Sequence, residues 1–180
     1  MRLAVLCSHD LHRRNLYDSG LVAMLERRGH TVINLGANPP TFNRLRRSLR
    51  LMTMVDAEPR NPTYFHKSTL LRGRRRLQAS VWRAVRRMGV DLEALALRIE
   101  ARLPLPAHTL KHVSFTHPDL LLWPTLIHMD SVENDTVKAA RRLGVPVLGM
   151  PASWDNLTTK GSFLVRPDKI LVWGHASKRH

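Results

Sequence analysis

The chain has 180 residues, of which 43% are apolar, so it can bury a core and does not fit a disordered class. One cysteine excludes an internal disulfide, no run approaches the roughly 18 apolar residues of a spanning helix, and the apolar run before Cys7 is too short for a secretory leader. These features favour the cytoplasm, while 29 basic against 14 acidic residues, a formal +15, suit either a phosphate-rich partner or arginine-rich solvated helix faces.

Arg2–Cys7 is a short, mostly apolar run suited to a buried parallel strand, broken by Ser8-His9-Asp10. Leu16, Leu21, Val22, Met24 and Leu25 then recur at helical spacing between Asn15 and Arg28, and Gly29 stands where a glycine ends a helix. Thr31–Leu35 is a second strand. The order is that of a βαβ unit.

From Thr41 a helix is expected with Phe42, Leu45, Leu49 and Met52 on one face, followed by a loop around Pro59 and Pro62. Leu70, Leu77, Val81, Val85 and Met88 form the next helical stripe, which Leu92, Leu95, Ala96, Ile99 and Leu103 continue until Pro104 and Pro106 stop it. This all-helical insertion, about 41–103, is where the charge sits: residues 41–102 carry 15 Arg/Lys and 5 Asp/Glu, and 14 of the 15 are arginine. Two readings stand. The arginines line solvated helix faces, or they grip a polyanion such as nucleic acid or an anionic headgroup.

The α/β pattern resumes with a strand at Asp119–Trp123 and an exposed turn over Pro124–Met129. Ser131 is placed to cap a helix from Val132 to Leu143. Val145–Met150 is a further strand, Pro151–Gly161 a loop and Lys169–Trp173 a last strand. The fold class is therefore α/β, a Rossmann-like parallel sheet with an Arg-rich helical insertion, in one domain.

Ligands of open parallel sheets sit at the C-terminal ends of strands. Three segments follow predicted strands: Ser8–Asn15, Pro124–Glu133 and Pro151–Gly161. The first lacks G-x-G-x-x-G and the P-loop pattern, which disfavours NAD and a Walker-type nucleotide site. Its His9 and Asp10 suit a general base and its orienter, or simply a polar turn, and Asn15 suits substrate binding. The second offers His128, Asp130 and Glu133, in a spacing that is no specific metal pattern, so no metal is assigned. Helix capping is the plainer role for Asp130 and Glu133, substrate binding the functional one. The third, Ser153-Trp154-Asp155-Asn156-Leu157-Thr158-Thr159-Lys160-Gly161, joins a stacking ring to an acid, an amide, hydroxyls and a Lys. A lid tryptophan over an Asx turn is its structural alternative.

That third segment, with Pro167-Asp168-Lys169-Ile170-Leu171-Val172-Trp173-Gly174, resembles bacterial glycosyltransferase-like proteins of the UDP-glycosyltransferase/glycogen phosphorylase superfamily, which have the GT-B fold. It is also similar to surface-polysaccharide and glycerophosphotransferase-type enzymes. The opening strand and Arg28-Gly29-His30-Thr31-Val32 look like the start of a GT-B N-terminal domain. The resemblance covers residues 1–36 and 118–174 and leaves the Arg-rich middle unmatched.

The resemblance implies transfer of a sugar or polyol phosphate from a nucleotide-activated donor, with no further cofactor, in glycan or surface-polysaccharide synthesis. This chain would be the acceptor-side domain and would be inactive without a second, donor-binding domain, supplied by a separate chain or a longer parent. Asp10 or His9 would be the catalytic base. Asn15, Asp130, Glu133, Trp154, Asp155, Asn156 and Lys160 would bind substrate. The partners would be a sugar- or phosphate-bearing acceptor and, through the arginines, the inner face of an anionic membrane. The alternative is a non-enzymatic basic α/β module that binds nucleic acid or another polyanion, although no nucleic-acid motif supports it.

Overall fold

The apolar runs expected to form strands do pair, in a single all-parallel sheet. A computed structural model of the chain describes residues 1–8, 10–36, 41–60, 71–126, 133–151, 161–172 and 174–175. The strands are β1 (Arg2–Val5), β2 (Thr31–Asn34), β3 (Leu120–Trp123), β4 (Val147–Gly149) and β5 (Lys169–Ile170), in the order β2-β1-β3-β4-β5. Leu3 lies opposite Val32 on one side and Leu120 on the other, and Leu122 lies opposite Leu148. This is a Rossmann-like α/β fold.

Both faces of the sheet are covered, which is why its strands read as continuous apolar runs rather than alternating ones. Val5, Cys7 and Leu122 point to one side, where α1 (Asp10–Tyr17) and α2 (Leu21–Arg27) bring Leu16 and Val22. Ala4, Leu6, Leu121, Trp123 and Val147 point to the other, against Val113 of α6 (Ala107–Thr116) and Val137, Ala139 and Ala140 of α7 (Asn134–Arg142).

The first expected helix is in fact two. Gly20, at φ +79°, takes the left-handed turn between α1 and α2. The segment Ser8–Asn15, expected as a loop, is helical from Asp10 onward. Residues 107–116, where no element was expected after the prolines, form α6. Pro106 does not end a helix here; it sits at the N-cap with φ −62° and starts one. The α6 sequence is poor in strong helix formers, so burial of Thr109 and Val113 decides the matter.

Among its described residues the insertion is helical as expected: α3 (Asn43–Ala57), a 3₁₀ turn (Glu58–Arg60), α4 (Gly73–Arg87) and α5 (Leu92–Arg102). Asp91 caps α5, its carboxylate accepting from the Ala94 amide at 2.8 Å. These helices have their own core of Leu49, Met52, Val55, Ala79, Leu92 and Ala96, joined by Leu164 from the segment before β5.

Which faces are buried differs from the pattern in sequence. On α3, Leu49 and Met52 are buried as expected, but Phe42 and Leu45 stay exposed and Arg46, Arg50 and Thr53 turn inward as well. On α4, Ala79, Trp82 and Val85 turn inward while Leu77, Val81 and Met88 face out. Solvated faces do not account for Arg46 and Arg50, whose relative exposures are 0% and 1%.

Candidate functional site

Because every strand is parallel, the segments after β1, β3 and β4 leave from the same rim of the sheet. The chain steps from β1 to β2 in one direction and later to β3 in the other. The crevice between the ends of β1 and β3 is thus the topological switch point, where ligands of such sheets bind.

One carboxylate organises that crevice. Glu133, immediately before α7, is buried and accepts from three directions. The Trp123 Nε1–H donates to it at 2.6 Å and the Thr125 hydroxyl at 2.8 Å, both from the end of β3. The Ser8 hydroxyl donates to it from the end of β1. Glu133 thereby ties two strand ends and a helix start together. Ser8, half-buried and with its proton committed to Glu133, keeps its lone pairs for an acceptor role.

Burial raises the Cys7 thiol pKa to about 11; the negative charge of Glu133 adds to this and Arg13 works against it. A raised folded value means the unfolded chain releases the proton first. Cys7 therefore contributes a loss of stability as pH rises from about 9 toward 11, and none at neutral pH. At pH 8 the native thiol should react with iodoacetamide on the order of 100-fold more slowly than the thiol in guanidinium-unfolded chain, following its smaller thiolate fraction. Equal rates in the two states would show that the end of β1 is open to solvent.

Of the residues assigned to the site, Asp10 opens α1 two positions beyond Ser8 and is exposed. Asn15 lies more than a turn further along α1, also exposed and on a different side of the helix from Asp10. His9, Asp130, Trp154, Asp155, Asn156 and Lys160 lie outside the described residues, as does Ser131, the expected helix cap. The described helix begins at Asn134 with Glu133 at its N-cap, and the Glu133 side chain makes no capping bond.

Both ends of the Trp-Asp-Asn segment are described. Pro151 follows β4 at the rim, and Gly161 lies directly on α3. A Cβ at Gly161 would come within 2.7 Å of Thr53 Oγ1 and 2.8 Å of the Met54 nitrogen. The next residue, Ser162, accepts through its carbonyl from Arg50 Nη1. Burial lowers the Arg50 guanidinium to about 10, with the charge of Glu100 working the other way. An apolar hollow of about 230 Å³, lined by Met150, Pro151, Leu171 and Val172, opens at the ends of β4 and β5. A second, of about 250 Å³, sits by His117 and Pro118 at the opposite rim, away from the switch point.

A second polar cluster fastens the insertion to the α/β core. Arg46 forks onto Glu100 of α5 and Asp135 of α7, with Nη2 at 2.8 Å from Glu100 Oε1 and 2.6 Å from Asp135 Oδ1. Its Nη1 also donates to Asp135 Oδ2 at 2.8 Å and to the Thr41 carbonyl at 3.1 Å. Lys138 adds a second cation, donating to the Glu100 and Leu103 carbonyls at 3.0 and 2.8 Å. Burial opposes the Arg46 charge, but bonds to Asp135 and Glu100 hold its pKa above the ordinary arginine value. Burial likewise pushes Asp135 up, yet Arg46 and the Thr41 hydroxyl pull it net below the ordinary carboxylate value.

Sequence reasoning missed the Glu133 clamp and the Arg46 cluster. Arg46 and Arg50 share a helical face with Leu49 and Thr53, and that spacing was the available signal.

No family model, curated protein or solved structure matches the chain. Fold and site together define a class: a Rossmann-like α/β domain with polar groups at its switch point and a basic helical insertion against the same rim.

Proposed function

We propose that this is the acceptor-side domain of a GT-B-type glycosyltransferase that uses a nucleotide-activated donor held by a second domain. The observation that carries the reading is the departure of the segments after β1, β3 and β4 from one rim at the switch point. In this reading Asp10 or His9 takes the proton from an acceptor hydroxyl as its oxygen bonds the donor's anomeric carbon, and the nucleotide phosphate leaves. Ser8, oriented by Glu133, accepts a hydrogen bond from the acceptor. Trp154 stacks on a sugar face, Asp155 and Asn156 bond hydroxyls, and the hollow beside Pro151 seats an apolar part of the acceptor.

Saturation-transfer NMR of the chain against monosaccharides, disaccharides and glycerol phosphate tests this. A saccharide or polyol phosphate should bind, and Trp154→Ala and Asp155→Ala should each weaken binding at least about 10-fold through lost stacking and hydrogen bonds. Nucleotide sugars should bind this domain far more weakly than the acceptor. Undiminished binding in both variants removes the site assignment, and salt-sensitive duplex binding without saccharide binding favours the polyanion module instead.

A further inference from the structure

The outer face of α4 has a composition that the core does not explain. Leu77, Val81 and Met88 are 69%, 51% and 74% exposed, although they stand on a helix whose opposite face carries Trp82 and Val85 into the insertion core. At 100° per residue, Leu77, Val81, Ala84 and Met88 fall within about 60° of one another. Arg74 borders this stripe on one side, and Arg76 and Arg87 border it on the other. Residues 72–88 contain seven arginines and no acidic residue.

The arginines divide by direction. Arg83 turns inward onto Glu58, with Nη2 2.8 Å from Oε1, and Arg86 reaches Asp56 at 3.5 Å. Arg72, Arg74, Arg75, Arg76 and Arg87 remain exposed. The outward surface of α4 is thus an apolar stripe between two cationic margins.

We propose that α4 docks the protein flat on an anionic lipid bilayer, with Leu77, Val81 and Met88 entering the headgroup–acyl boundary and the flanking arginines holding lipid phosphates. The inference is independent of the transferase reading. The pattern is that of a helix lying in an interface, with apolar anchors on one face and cations at its borders. A second copy of the chain does not fit, because it would bring one arginine-rich face against another. A nucleic acid would satisfy the arginines and leave the apolar stripe uncovered, and Trp82, the aromatic of this helix, faces the core rather than a base. Among the described residues no helix is long and apolar enough to cross a membrane, so α4 is a surface element.

Co-sedimentation with vesicles tests the proposal. The protein should partition at least 10-fold better onto phosphatidylcholine vesicles containing roughly 30% phosphatidylglycerol than onto phosphatidylcholine alone. Combined Arg74→Gln, Arg76→Gln and Arg87→Gln should lower that partition about 100-fold. Leu77→Ser with Met88→Ser should lower it about 10-fold. All five side chains are exposed, so the variants should keep the parent's circular dichroism. An environment-sensitive dye on Met88→Cys should shift to the blue with anionic vesicles only. Absence of vesicle binding overturns the proposal. So does loss on removing arginines with full retention in the Leu77/Met88 variant, which would mark a face for soluble polyanions such as nucleic acid. An unshifted dye overturns it as well.

Discussion

Replacing Arg46 with methionine should lower stability by about 3–5 kcal/mol, measured by urea unfolding, because it leaves two buried carboxylates without their shared cation. Glu100 and Asp135 both lie within hydrogen-bond reach of Arg46, and each belongs to a different helix. Lys138 does not replace Arg46, since its ammonium is 3.7 Å from Glu100 Oε1 and is spent on two carbonyls. If the loss comes from stranded charge, adding Glu100→Leu and Asp135→Leu to Arg46→Met should restore much of it.

The pH dependence carries a sign that checks the same mechanism. In the parent, the Asp135 pKa lies below its unfolded value, so its contribution is present above about pH 4 and is lost as pH falls through the folded value. Without Arg46, the burial that raises the Asp135 pKa is opposed only by the Thr41 hydroxyl and the Lys138 charge, so the pKa moves up. The variant is then relieved as the carboxyl protonates, and the gap between variant and parent should narrow on going from pH 7 toward pH 4. A gap that widens with acid would mean that the pair is not what Arg46 stabilises.

Gly161→Ala is the second large effect expected. At φ +82° an alanine costs about 1–2 kcal/mol for handedness, and its Cβ would press on the Thr53 hydroxyl and on the α3 backbone, which adds about 1–3 kcal/mol. Gly144, at φ +73° with nothing within 4 Å of a Cβ, isolates the first part. Gly144→Ala should therefore lose only about 1–2 kcal/mol. The difference between the variants measures the approach of the chain to α3. Because the Trp-Asp-Asn segment ends at Gly161, the same variant should also weaken saccharide binding in the NMR titration. Two alanines of equal cost would mean that the close contact with Thr53 and Met54 carries no energy.

Much of the sheet was legible because its signal is local. Arg2–Val5, Leu120–Trp123 and Val147–Gly149 are short apolar runs bounded by turn residues, and strands buried on both faces read that way at any position in a chain. The common rim followed from the same reading, since three strands that are all parallel must end on one side. The rim's residues were less legible. Glu133 looked like a capping or substrate group because acids gather at helix starts, whereas it is held by Ser8, Trp123 and Thr125, the first of them 125 positions away. The α4 stripe of Leu77, Val81 and Met88 was legible as an apolar face, but helical periodicity reports such a face without saying which way it points. The helix carries a second apolar side at Ala79, Trp82 and Val85, and that is the one that joins the insertion core against α3.

Most of the local order along this chain, its alternation of strand and helix and its basic middle, follows from side-chain spacing and turn chemistry, while α6 depends on the burial of Thr109 and Val113. The strand order β2-β1-β3-β4-β5, the inward turn of Arg46 and Arg50, and the meeting of Gly161 with α3 were settled only in the tertiary structure. The physical reason is distance along the chain. Arg46 is buried because Glu100 and Asp135, 54 and 89 positions away, arrive at its guanidinium together, and no window of neighbouring residues contains that compensation.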